Sequence, residues 1–141
     1  MLKTYDYNGA GMEIVAKAMK GDAKPAAFLL KMIFTVITLS AGFKGGEIVP
    51  TLFVGSTFGC VVGGLLGLDP AFGAAVGFVA LFCGVVNCPI ASLLLGIEVF
   101  GTDSTLVFAV VCAVSFMMSG YSGLYKSQKF AYSKLYDEDY E

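Results

Sequence analysis

The ten residues Ala41-Gly42-Phe43-Lys44-Gly45-Gly46-Glu47-Ile48-Val49-Pro50 hold the groups best suited to chemistry in this chain. Gly45 and Gly46 permit backbone geometry that other residues resist, and they let a ligand approach the main chain closely. Pro50 suits the first turn of a helix, where its missing N–H costs little. The N–H groups around Gly46 to Val49 are then the unpaired donors of a helix start. Those donors and the helix dipole attract anions. Glu47 adds an ionisable carboxyl in an apolar setting, where charge rarely stands without a purpose.

Composition restricts what these groups can serve. The chain has 141 residues, 57% of them hydrophobic, and only 14% charged, against roughly 25% in ordinary soluble domains. Its mean hydropathy is +0.78, a membrane value. The formal net charge is −2, and Arg and His are absent, so neither nucleic-acid binding nor an imidazole metal centre is expected. No His, no carboxylates paired within one segment and no nucleophile with an evident base argue against an enzyme, and no cofactor is implied. Cys60, Cys83, Cys88 and Cys112 all lie in apolar runs without a C-x-x-C pair, and read as small packing residues.

Three regions follow from the charge layout. Residues 1–24 carry several charges around Met12–Met19, which reads as a short amphipathic helix ended by Gly21-Asp22; this stretch is no signal peptide. Residues 25–125 are the membrane-embedded part, and 126–141 a tail. Ala26–Ala41 is apolar except for Lys31, read as a structural lysine that snorkels or pairs. Ile48–Leu68 has no charge and is long enough to span. Gly55, Gly59, Gly63 and Gly67 recur along it every fourth residue, a ridge for close helix packing. Leu68-Asp69-Pro70 reads as a turn, and Ala71–Val86 repeats the glycine spacing at Gly73 and Gly77. Asn87-Cys88-Pro89 breaks the chain before a helix over Ile90–Phe100. Glu98 in its last turn is expected to reach the interface or bond to Thr102 or Ser104. Thr102-Asp103-Ser104 offers caps for a further helix, Ser104–Gly120.

The apolar pieces are unequal, several are too short to cross alone, and Gly/Pro breaks divide them. Broken helices at membrane depth are tolerated where they line a wet cavity, and they build ion and substrate sites in channels and transporters. The class expected is an all-α membrane protein with broken and re-entrant transmembrane helices.

Gly45-Gly46-Glu47-Ile48-Val49-Pro50 resembles the Gly-Gly-x-Phe-x-Pro motif of the CLC chloride channels and proton-coupled anion exchangers. The likeness continues through Thr51–Gly59. Asn87-Cys88-Pro89-Ile90-Ala91 and Gly96-Ile97-Glu98 resemble a later family helix, and Leu124-Tyr125 the segment with the pore tyrosine. The resemblance implies one half, the C-terminal one, of an inverted-repeat CLC fold. It also implies an anion held by the amides of Glu47 and Ile48 and by the Tyr125 hydroxyl, neutral donors that bind without trapping. Tyr125 also suits an interfacial belt.

Chloride-type members usually carry an apolar residue in place of Glu47 and often Phe in place of Ile48. A Gly-Gly-Glu pattern resembles the fluoride/proton antiporter branch, as do Tyr5-Asp6-Tyr7-Asn8-Gly9 and Ala41-Gly42-Phe43-Lys44. Glu47 is then either structural, capping its own helix or pairing with Lys44, or a proton carrier whose carboxyl is pushed toward protonation by desolvation and a passing anion. One residue can do both. The Gly-Ser-Gly-like anion loop and the gating-glutamate loop of a first repeat do not occur here, so a missing N-terminal half is expected to complete the pathway. The resemblance further implies fluoride or chloride and protons as cargo, and a homodimer whose contact lies near Ile90–Phe100 and Thr105–Ser119. It implies a multi-pass plasma-membrane location, and Lys126, Lys129 and Lys134 argue for a cytoplasmic C-terminus. Two other readings stay open: half of a gated chloride channel without proton coupling, and a truncated, non-transporting membrane protein that binds partners through its glycine ridge.

Overall fold

A computed structural model describes residues 12–21, 26–42 and 46–120. Among them every regular element is a helix: α1 (Met12–Ala18), α2 (Ala27–Ser40), α3 (Ile48–Leu65), α4 (Pro70–Val86), α5 (Pro89–Phe100) and α6 (Thr105–Met118). Among the described residues only α3 is long and apolar enough to cross a membrane, with a mean hydropathy of 1.8 over its 18 residues. The other apolar helices are shorter, as the Gly/Pro breaks imply.

The arrangement is built on α3 and α4, which share the most extensive contact in the chain. They run antiparallel and meet backbone to backbone, with Gly55 against Gly77, Gly59 against Gly73 and Gly77, and Gly63 against Gly73. A Cβ at Gly55 would stand 2.6 Å from the Gly77 carbonyl oxygen, and one at Gly77 would stand 2.8 Å from the Gly59 Cα. No side chain fits there, so the small-residue spacing is what lets the axes close up.

Gly67 continues the four-residue spacing but does not join the seam. Helix α3 stops at Leu65, and Gly67 follows at φ +73° with open space around it. Its N–H donates to the Gly64 carbonyl at 3.3 Å, and the Leu68 N–H donates to the Gly63 carbonyl at 2.9 Å. That pair of bonds is the Schellman ending, for which glycine is the usual residue because its φ is left-handed. Leu68-Asp69-Pro70 lies at the turn between the two helices, and Asp69-Pro70 is also the start of α4. Asp69 caps α4 by accepting from the Ala71 N–H at 3.1 Å, and Pro70 takes the first helical position.

Helices α5 and α6 close over the other flank of α4. Ala75, Phe78, Val79 and Cys83 of α4 are buried against Phe108 and Cys112 of α6. Phe100 stacks edge-on to Phe78 with ring centres 5.4 Å apart. Polar bonds tie the same helices: Ser115 donates to the Ala80 carbonyl at 2.6 Å, and Ser119 to Asn87 Oδ1 at 2.7 Å. Asn87 ends α4 in the left-handed conformation, φ 56°, which makes the sharp break before Pro89. Ser104 stands at the N-cap of α6 without a side-chain bond, and Glu98 is exposed with no bond to Thr102 or Ser104; the Thr102 carbonyl accepts from the Thr105 hydroxyl instead. Cys60, Cys83 and Cys112 are buried, whereas Cys88 is exposed at the start of α5 and does no packing.

Helix α1 is docked on α3 and α4: Val15 is buried with Phe53, and Ala18 with Cys60 and Ala74. The outward faces are apolar. Leu65, Leu66, Ile90, Leu106 and Met118 are all strongly exposed, which suits a chain whose solvent is lipid.

The seam yields a direct stability test. Gly77→Val forces two backbones apart and is expected to cost roughly 3 kcal/mol, whereas Gly67→Ala costs roughly 1 kcal/mol through its left-handed φ alone. Thermal unfolding of both variants in detergent, in the longest form of the protein that purifies, checks the order.

Candidate anion-binding site

The opening of α3 is formed by Gly46, Glu47, Ile48, Val49 and Pro50, with Glu47 at the N-cap and Pro50 the third helical residue. Helix α2 delivers the chain to this point. It ends at Ala41, whose N–H donates to the Ile37 carbonyl, and Gly42 turns the backbone at φ +82°. Thr51 then fixes the first turn, its hydroxyl donating to the Glu47 carbonyl at 2.8 Å.

The Glu47 side chain does not cap its own helix. Its backbone is helical, φ −79° and ψ −16°, instead of the extended form from which a cap folds back. Pro50, at the position a cap would serve, has no N–H to offer. The carboxyl is therefore left half-exposed at the helix opening. Among the described residues nothing accepts a hydrogen bond from the amides of Glu47, Ile48 or Val49. Gly46 precedes them, exposed, with no atom within 4 Å of where a Cβ would sit. Its φ is not left-handed, so neither strain nor internal crowding calls for glycine here. What glycine leaves is open space beside the first residues of the helix.

Gly46, Glu47 and Ile48 are thus brought together at one helix end. Gly45, Lys44 and Tyr125, also proposed from the sequence, lie outside the described residues. Gly55, Gly59 and Gly63 stand behind the opening, where they press α3 against α4.

Lys31 was read as a lysine that snorkels or pairs, and its placement is different from snorkelling. It is 5% exposed, with its ammonium 5.4 Å from the centre of the Phe53 ring.

The chain matches known proteins over most of its length. The family model described as voltage gated chloride channel matches residues 3–120. The chain belongs to the CLC family. A chloride/fluoride channel protein of Pseudomonas syringae pv. tomato is 37% identical over 128 residues, 91% of this chain. The H(+)/Cl(-) exchange transporter ClcA of Vibrio vulnificus is 26% identical over 80% of this chain. The crystal structure of a CLC-type fluoride/proton antiporter superposes with a TM-score of 0.84 at 32% identity, covering 91% of this chain. The fold is therefore that of a CLC protein, and the location a membrane crossed more than once. This chain spans 28% of the length of those two relatives and 33% of the antiporter chain. That is nearer a third of a CLC protein than the half expected from the sequence.

Because the Glu47 carboxyl makes no capping bond, Glu47→Gln is expected to change stability by less than about 0.5 kcal/mol. Unfolding of the variant in detergent beside the unaltered protein reads this directly, independently of any transport.

Proposed function

We propose that this chain supplies one wall of the anion site in a CLC-type halide transporter, with fluoride as the favoured ion and protons as the coupled one. The observation that carries the reading is the α3 opening, where the amides of Glu47, Ile48 and Val49 have no acceptor among the described residues and where Gly46, just before them, has no atom within 4 Å of its Cβ position. Fluoride is small and strongly hydrated. Several converging N–H donors can replace its water, and a neutral site releases it more readily than a lysine would. Tyr125 adds a hydroxyl donor to the same ion. Gly45 lets the backbone approach it.

Glu47 carries the proton in this reading. An anion beside the carboxylate and a dry surrounding both favour its neutral form, while the positive helix opening favours its charged form. Arrival and departure of the halide would switch the balance, which couples the two fluxes. The remainder of the transporter supplies the facing donors and the gate, and the complete protein is a homodimer in the plasma membrane with a cytoplasmic C-terminus. The apolar, exposed side chains Ile90 and Leu94 of α5 and Leu106 and Val110 of α6 suit contact with lipid or a second subunit.

A second reading is a gated channel that passes chloride without protons, in which Glu47 is structural. The name of the Pseudomonas relative, a chloride/fluoride channel protein, favours keeping it. Reconstitution of the complete parent protein into vesicles separates the two. A fluoride gradient is expected to drive proton movement, and Glu47→Gln to reduce proton-coupled fluoride efflux at least about tenfold, within the range for a lost proton-transfer group. Unchanged coupled efflux in Glu47→Gln removes the proton role. Strong chloride flux without preference for fluoride favours the channel.

A further inference from the structure

Helix α3 begins on a longer main-chain bond than the other apolar helices. In α2, α4, α5 and α6 the carbonyl of the capping residue accepts its first main-chain bond at 3.1, 2.9, 3.0 and 3.0 Å, from Leu30, Gly73, Ser92 and Phe108. In α3 the Thr51 N–H reaches the Glu47 carbonyl at 3.3 Å. The ladder cannot begin one residue earlier, because Pro50 has no N–H. What holds the Glu47 carbonyl more closely is the Thr51 hydroxyl, which donates to it at 2.8 Å from a half-buried position.

That carbonyl is one end of a planar peptide unit whose other end is the Ile48 N–H. In a helix the two point in opposite directions, the carbonyl along the axis toward the C-terminus and the N–H out of the opening. Holding one therefore aims the other. Among the described residues the Ile48 N–H has no acceptor. Helix α5 supplies the contrast. Ser92 donates to the Cys88 carbonyl at 2.7 Å, the same bond at the same place in its helix. The next residue there is Pro89, so that unit carries no N–H to aim. Thr35, Thr38 and Thr57 also bond back, to the carbonyls of Lys31, Phe34 and Phe53. Those units lie inside their helices, where the N–H is already spent on the ladder. Bonding back is a general habit of threonine in helices. At Thr51 it acts on a unit that presents an N–H at the opening.

We propose that Thr51 is a positioning residue for halide binding: its hydroxyl holds the Glu47 carbonyl and so fixes the peptide unit that presents the Ile48 N–H to the anion. This rests on the reading of the α3 opening as a halide site. The hydroxyl is engaged within the first turn and acts only through that unit. A donor already aimed loses little freedom when the ion arrives, and affinity gains by that difference.

The test uses the complete transporter that contains this chain, purified in detergent. Calorimetry gives the Kd of whichever halide, fluoride or chloride, it binds more tightly, and thermal unfolding is read in parallel. Thr51→Val keeps the shape and removes the hydroxyl; it is expected to raise the Kd about fivefold, the net worth of one hydrogen bond. Thr51→Ser restores the hydroxyl and is expected to stay within about twofold of the unaltered protein. Ser92→Ala removes the matching bond from α5 and is expected to leave the Kd within about twofold, whatever it does to the melting temperature. A Thr51→Val Kd within about twofold of the unaltered protein overturns the proposal. So does a Ser92→Ala loss as large as that of Thr51→Val, since loosening any helix start would then have the same effect. A Thr51→Ser loss of that size overturns it too, because the methyl group and not the hydroxyl would be the cause. If Thr51→Val does not fold, Thr51→Ala is judged by the same criteria; if neither folds, the hydroxyl is structural and the proposal falls. An unaltered protein that binds neither fluoride nor chloride refutes the halide reading itself, and this proposal with it.

Discussion

The contact between α3 and α4 sets the rest of the molecule. Two backbones meet through Gly55, Gly59 and Gly63 on one side and Gly73 and Gly77 on the other, closer than any Cβ would allow. Every other helix is placed relative to this pair. Helix α1 lies on it through Val15 and Ala18, and α6 meets the far flank of α4 through Phe108 and Cys112. The direction of α3, and so the aim of the amides at its opening, follows from the seam. A site made of backbone donors has no rotamer to adjust, so its accuracy is that of the helix which carries it.

Much of this was legible in the sequence. Glycine and proline punctuation marked where each apolar helix begins and ends, and the four-residue glycine spacing marked the faces of α3 and α4 that meet. The helix opening at Glu47 followed from Gly45-Gly46 before it and Pro50 within its first turn. The family resemblance, carried by those same residues, agreed with the family match over residues 3–120.

The parts that were not legible share a cause. Gly67 has the same spacing as Gly55, Gly59 and Gly63, and spacing alone does not reveal that the helix stops two residues earlier and needs a left-handed residue. Glu47 has the composition of a cap, but a cap depends on φ and ψ, and the local backbone is helical. Of the two placements read for Lys31, snorkelling and pairing, its burial removes the first, because snorkelling assumes that charge seeks the outside. In lipid the outside is apolar, so the usual pairing of polarity with exposure no longer tells which way a helix faces. The tie between Ser119 and Asn87 joins residues 32 positions apart, and no local pattern announces it.

The glycine seam has one more consequence, for motion. Glycine has no side-chain torsion, so the α3–α4 contact loses no side-chain freedom when it forms. For the same reason it has no alternative set of rotamers into which it could repack. Helices that slide past one another do so by exchanging one side-chain interlock for another, and two bare backbones have nothing to exchange. The other joints do carry side chains: Lys31 and Phe53 between α2 and α3, and Ser115 and Phe108 between α4 and α6.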